Sequence, residues 1–117
     1  MPCSPLAYLA DIIEACAAIE AALRGVDCAR YENDRLIRSA VEREFIIIGE
    51  AVGSLERLDP TMSSRISHAR MIVGLRNLLT HDYAAIQDAT VWAIAGHDVA
   101  VLRHECEALM EAAEETD

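Results

Sequence analysis

The sequence predicts an all-α protein, an antiparallel bundle of four main helices with room for a fifth short one. Three observations carry this. Apolar residues recur every three or four positions in four long runs. Helix start and stop signals separate those runs, with no strand-like alternation between them. The 117 residues include only three prolines and five glycines, few aromatics and much alanine, leucine and isoleucine. One domain, residues 1–117, is the natural count at this length, and burying roughly two thirds of the unfolded surface needs no disulfide staple.

Ser4 followed by Pro5 is a helix start, a hydroxyl cap before a proline tolerated in the first turn. Leu6, Leu9, Ile13, Cys16, Ile19 and Leu23 then recur at helical spacing until Gly25, which gives a helix over about 5–24 with Cys16 in its apolar stripe. Residues 25–33 read as a short polar link. Asp34 caps a long second helix carrying Leu36, Ile37, Val41, Phe45, Ile48, Val52 and Leu55. Its run Phe45-Ile46-Ile47-Ile48 is apolar around more than one face, so contacts on several sides or with a second subunit are expected. Gly49 and Gly53, one turn apart, permit close approach of another helix. Glu50, between them, reads as an exposed or paired carboxylate.

Asp59-Pro60 ends the second helix, because proline biases its predecessor away from helical angles. Residues 61–67 form a connector with space for one short turn. A third helix runs from about Ser67 through Tyr83, with Ile72, Leu75, Leu79 and Ile86 near one stripe and Arg76 at its edge. Asp88 caps a single last helix whose apolar face holds Val91, Trp92, Ile94, Ala95, Val99, Leu102, Cys106 and Leu109. Trp92 is expected as an anchor in the core or a dimer interface. The acidic end beyond Met110 is expected to fray.

Composition narrows the function classes. The four cysteines, Cys3, Cys16, Cys28 and Cys106, show no C-x-x-C spacing, so neither a zinc knuckle nor a redox pair is indicated. His97 and His104 share a face without a third ligand at matching spacing, and no metal site or cofactor is predicted. No apolar run approaches a membrane span, and no positive segment precedes a hydrophobic one at the start, so a soluble, cytoplasmic protein is expected. A net charge of −10 argues against a broad polyanion-binding surface. Yet positions 60–80 contain no acidic residue while holding Arg65, Arg70 and Arg76. A local positive cleft on a negative body is the expectation. There is no lysine, so every fixed side-chain positive charge is a guanidinium.

Within that region stands Arg76-Asn77-Leu78-Leu79-Thr80-His81-Asp82-Tyr83. On a continuous helix Arg76 and Tyr83 lie about 20° apart, with His81 about 140° from Arg76. A helix fraying near Thr80 would free the imidazole to swing toward the arginine, and either arrangement lets the three line one shallow cleft. Arginine matches phosphate oxygens with a planar fork, histidine exchanges a proton near neutral pH, and a phenol positions a substrate oxygen. The set suits metal-independent RNA cleavage, in which a base removes the ribose 2′-OH proton and a cation stabilises charge developing on phosphorus. Whether His81 is acid, base or both stays open. Singly, each residue has an ordinary reading, as a solvated arginine, a histidine near a helix end and an interfacial aromatic.

Arg-x4-His-x-Tyr is the signature of the HEPN superfamily, and the chain resembles its HepT-like branch, the toxins of HepT/MntA toxin–antitoxin pairs. The resemblance spans nearly the whole chain: Tyr8-Leu9-Ala10-Asp11-Ile12, Asp34, Ala40-Val41-Glu42-Arg43, Ile47-Ile48-Gly49-Glu50-Ala51, Gly74-Leu75-Arg76-Asn77, His81, Tyr83 and Val91-Trp92. It implies a HEPN-like helical homodimer acting as a metal-independent endoribonuclease of a type VII toxin–antitoxin system, with RNA as substrate. Arg76 would then hold the scissile phosphate, His81 would be the general acid or base, and Asn77 would orient the arginine or the RNA. It also implies an MntA-like nucleotidyltransferase antitoxin that adds AMP to Tyr83. The competing reading from the same superfamily is a non-catalytic helical interaction module that binds a nucleotidyltransferase. His68-Ala69 and Ala84-Ala85 replace the proline–tryptophan and phenylalanine–glycine that relatives often carry around the motif.

Overall fold

Side chains that satisfy the first free N–H groups of a helix decide where this chain's helices begin. A computed structural model describes residues 4–115. Ser4 Oγ accepts from the Leu6 N–H at 3.1 Å and Pro5 takes the first helical position, so α1 runs Pro5–Ala22. Gly25 then turns the chain at φ +74°, a region that favours glycine. The expected link at 25–33 instead contains a helix. Asp27 Oδ1 accepts from the Arg30 N–H at 2.9 Å and starts α2, Cys28–Asn33, which carries Tyr31 fully into the core.

Asp34 caps α3, Arg35–Leu58, by accepting from the Ile37 N–H at 3.1 Å. Asp59 closes α3 and caps the short α4, Pro60–Ser63, through the Met62 N–H at 3.0 Å. The motif helix α5 spans Ala69–His81, shorter at both ends than the 67–83 expected, and a 3₁₀ turn follows at Tyr83–Ala85. The single last helix is two, α6 at Asp88–His97 and α7 at Val99–Glu115. Asp98 joins them: its N–H donates to the Ile94 carbonyl at 2.8 Å and its carbonyl accepts from Leu102 at 2.9 Å. The break separates His97 and His104 onto different helices. Gln87, not Asp88, occupies the cap of α6, and the Asp88 carboxylate faces Arg38 at 3.7 Å. The end expected to fray beyond Met110 is helical to Glu115, because Leu109 and Met110 pack against the core. Cys3 and Asp117 lie outside the described residues.

α3 is the middle of the bundle, with α1 and α5 on its sides; α7 lies against α1, and α2 against α6. Pairs across the contacts fix direction. Glu42 meets Tyr83 and Gly49 faces Arg76, so α3 and α5 are antiparallel. Glu20 meets Arg103 near the end of α1 and the start of α7, so these two are antiparallel as well. The core joins Leu9, Ile12 and Cys16 of α1, Val41, Phe45, Ile48, Val52 and Leu55 of α3, Ile72 and Leu79 of α5, and Leu102 and Cys106 of α7. Each such large side chain contributes about 1.5–3 kcal/mol of burial. Burial pushes the Cys16 and Cys106 thiols up to about 12, consistent with inert core cysteines. Within the expected many-sided run, Phe45 and Ile48 point inward while Ile46 and Ile47 are half-buried. Trp92 is half-buried against the core and its Nε1 donates to the Val26 carbonyl at 3.2 Å.

The corner leading into α5 is strained and pinned. His68 adopts φ 60° and ψ 25°, the left-handed region, which costs a side-chain-bearing residue about 1 kcal/mol. Next to it, the Ser67 N–H and hydroxyl donate to Glu105 Oε1 and Oε2 at 3.0 and 2.6 Å, tying the corner to α7. No helix of the described residues is long and apolar enough to cross a membrane.

Candidate functional site

Arg76 leaves α5 at the edge of its buried stripe, beside Leu75 and four residues after Ile72. Its stem lies directly over α3. A Cβ added to Gly49 would overlap the Arg76 Cβ, stand 2.7 Å from its Cγ and lie 3.3 Å from the Ile72 carbonyl oxygen. Only hydrogen fits there. Gly53, by contrast, has no neighbour nearer than Arg57 Nη1 at 3.8 Å, so the close approach expected of both glycines belongs to Gly49 alone.

The half-buried guanidinium has a divided environment. Nη1 donates to Asn77 Oδ1 at 2.9 Å, whereas Nε is buried with no hydrogen-bond partner. A cavity of about 180 Å³ opens between α3 and α5, lined by Arg76, Gly49, Glu50, Ser54 and Arg57 among others. Arg57 Nη2 donates to Ser54 Oγ at 3.1 Å. Two guanidinium groups therefore border one small space, opposed by the exposed Glu50. An anion entering it would meet free donors on both arginines. The expected convergence of Arg65, Arg70 and Arg76 is not what forms it. Arg65 lines a different cavity with Met62 and Leu109, and the second cation at the Arg76 cavity is Arg57 of α3.

His81 is the last residue of α5 and is exposed, without a side-chain hydrogen bond or ion pair to any described residue. Because the helix is unbroken through 81, His81 stands about 140° around and about 7.5 Å along from Arg76.

Tyr83 lies beyond the helix, so the shared stripe expected for it and Arg76 does not exist. The Asp82 N–H closes α5 on the Leu78 carbonyl at 2.9 Å, and the 3₁₀ turn swings the phenol onto α3. Its hydroxyl donates to Glu42, 2.8 Å from Oε1 and 3.0 Å from Oε2. Glu42 is seven residues before Gly49, two turns or about 10 Å along α3. Arg76 and Tyr83 thus touch the same helix at points two turns apart.

Glu42 had no role in the sequence reading, yet it is the one buried charged residue among those described, 7% exposed. Desolvation pushes its carboxyl up, against the hydrogen bond from Tyr83, which favours the charged form. The same bond pushes the Tyr83 phenol up. The fully buried Tyr31 is pushed up by desolvation and by the Glu42 charge, and its hydroxyl has no partner. Arg38 is occupied nearby, donating to the Glu32 carbonyl at 2.6 Å and facing Asp88. A carboxylate in the middle of an apolar helix face, at Val41-Glu42, was the available signal. No group of three or more potential metal ligands occurs among the described residues.

Comparison with known protein families matches residues 12–109 to the family described as Ribonuclease HepT-like. Three similar proteins come from Methanocaldococcus jannaschii. "Putative RNase MJ1380" is 33% identical over 101 residues, covering 86% of this chain and 92% of that protein. "Putative RNase MJ1216" is 26% identical over 113 residues, 95% of this chain and 91% of that one. "Putative RNase MJ0125" is 27% identical over 111 residues, 93% of each. No solved structure matches.

Proposed function

The chain belongs to the HepT-like ribonuclease family, and from that premise we propose that it is a metal-independent endoribonuclease whose reacting groups are Arg76 and His81. The observation that carries the reading is Arg76 itself: a stem locked over Gly49, a guanidinium oriented by Asn77 on a side chain that lines a cavity, and a buried Nε without a partner among the described residues. Leaving such a donor unpaired is costly unless a ligand completes it.

The chemistry is an internal transesterification. An imidazole takes the ribose 2′-OH proton, the 2′-oxygen bonds to phosphorus, and the bond to the 5′-oxygen breaks, leaving a 2′,3′-cyclic phosphate and a 5′-hydroxyl. Arg76 neutralises the charge that grows on the phosphoryl oxygens. Since His81 faces away from Arg76 within one chain, the site is best completed by a second copy in a homodimer. Support for that surface comes from α5, an edge helix that exposes Met71 and Leu78, seven residues apart on one face.

We further read the protein as the toxin of a type VII toxin–antitoxin pair, cytoplasmic, and neutralised by AMP transfer to Tyr83 from an MntA-like nucleotidyltransferase. Tyr83 is 56% exposed, so a partner can reach it. An AMP group there adds an anion and bulk beside the motif helix.

Labelled RNA incubated in excess EDTA with the wild type and with His81→Ala tests the nuclease. Cleavage by the wild type alone, with 2′,3′-cyclic ends, is expected. Equal cleavage by both, or none by either, would replace the enzyme with the non-catalytic interaction module that binds a nucleotidyltransferase.

A further inference from the structure

Tyr83 and Glu42 are arranged as a nucleophile and its base. Glu42 is 7% exposed and, among the described residues, its only side-chain hydrogen-bond donor is the Tyr83 hydroxyl, which lies within 3.0 Å of both its oxygens. No cation among the described residues is bonded to it: Arg38, which acts on it only through its field, bonds the Glu32 carbonyl and faces Asp88. A buried carboxylate held by a neutral phenol, where an arginine would stabilise it better, is poor design for stability alone. Tyr83 meanwhile is 56% exposed as a residue, so a partner can reach its side chain while the hydroxyl proton rests on a carboxylate in a half-buried contact. Hydrogen-bond reach between a hydroxyl and a base is the geometric mark of an activated nucleophile.

We propose that Glu42 is the general base that takes the phenol proton when Tyr83 attacks the α-phosphorus of a nucleoside triphosphate held by a partner nucleotidyltransferase, a role that rests on the reading of Tyr83 as the AMP acceptor. The Tyr83 oxygen bonds to the α-phosphorus as its proton passes to Glu42, the bond from that phosphorus to the β-phosphate oxygen breaks, and pyrophosphate leaves. Protonation removes the buried charge, so the site accepts the proton more readily than an exposed carboxylate would.

The test needs no partner in its first arm. Native protein is treated with N-acetylimidazole, and acetylation of Tyr83 is followed by peptide mass spectrometry with Tyr8 as the internal reference. Base assistance predicts that Glu42→Gln slows Tyr83 labelling by about tenfold or more. Equal or faster labelling in E42Q overturns the proposal, because loss of the carboxylate without base assistance only lowers the phenol's pKa. Should E42Q not fold, the wild-type pH profile decides. Assisted labelling levels off once Glu42 is ionised, within the field of Arg38, Asp88 and Tyr31, whereas unassisted phenolate labelling climbs about tenfold per pH unit. The second arm uses an MntA-like nucleotidyltransferase with ATP. AMP on wild-type Tyr83 that drops in E42Q supports the whole step, and unchanged transfer in E42Q overturns the base role. No AMP on wild-type Tyr83 overturns the acceptor reading, while the acetylation arm still reports on Glu42.

Discussion

Arg76 of α5 rests its Cβ and Cγ on the bare backbone of Gly49 in α3, closer than any side chain at 49 would allow. The contact fixes where the guanidinium starts, so the glycine is part of the arginine's placement. Replacing Gly49 with alanine pushes a methyl into the Arg76 stem and the Ile72 carbonyl. Overpacking of this kind costs about 1–3 kcal/mol, read as a lower urea midpoint. RNA cleavage should fall by about tenfold or more as well, since small displacements of a positioning group are expensive. A G49A protein with wild-type stability and activity would show the close approach to be incidental.

Arg76 and His81 sit about 140° apart around one unbroken helix, and the proposed enzyme completes its site with a second chain. Arg76→Ala and His81→Ala should each be nearly inactive as pure dimers. Mixed after unfolding and refolding together, roughly half the dimers carry one of each, and those retain one intact arginine and one intact histidine. Recovered cleavage in the mixture is the expected outcome. A mixture as dead as its components would place both groups of each site in a single chain.

Tyr31 keeps a hydroxyl in the core with nothing to bond, although its ring packs well. Tyr31→Phe removes the orphan and keeps the ring. Stability should rise by about 1 kcal/mol in urea titration. A loss instead would mean that the hydroxyl is satisfied in solution.

Glu20 and Arg103 join α1 to α7 through contacts of 2.6 and 3.1 Å. The hydrogen bond from Arg103 holds the Glu20 carboxyl below its ordinary value. A depressed folded-state pKa gives stability that is present above the unfolded value of about 4.3 and lost as pH falls through the folded one. The melting temperature of the wild type should therefore exceed that of Glu20→Gln at pH 7, with the gap closing below about pH 4. A gap that persists unchanged into strong acid would assign the effect to packing.

What the sequence revealed was local. Asp34 and Asp59-Pro60 bound α3 because a cap and a proline act on their own neighbours, and both signals were read where the structure has them. Arg76 at the edge of the α5 stripe followed from helical spacing alone. The missed features depend on distant partners. α2 is too short to show a period, and its Tyr31 is buried by helices that the link itself does not contain. The break at Asp98 leaves the apolar stripe running on through Val99 and Leu102, and no proline marks it; Gly96, two residues before, was the one local hint. Tyr83 reaches Glu42 across 41 residues, so periodicity could mark the carboxylate on an apolar face without naming its partner.

The Ser67–Glu105 tie has a consequence for synthesis. The strained corner that launches the motif helix is secured by a carboxylate 38 residues further along the chain. On the ribosome, residues 69–83 emerge long before their anchor, and α1 waits equally for α7. The motif helix can thus be fastened only once Glu105 has left the ribosome, and a message cut short before codon 105 yields a product whose motif helix was never fastened.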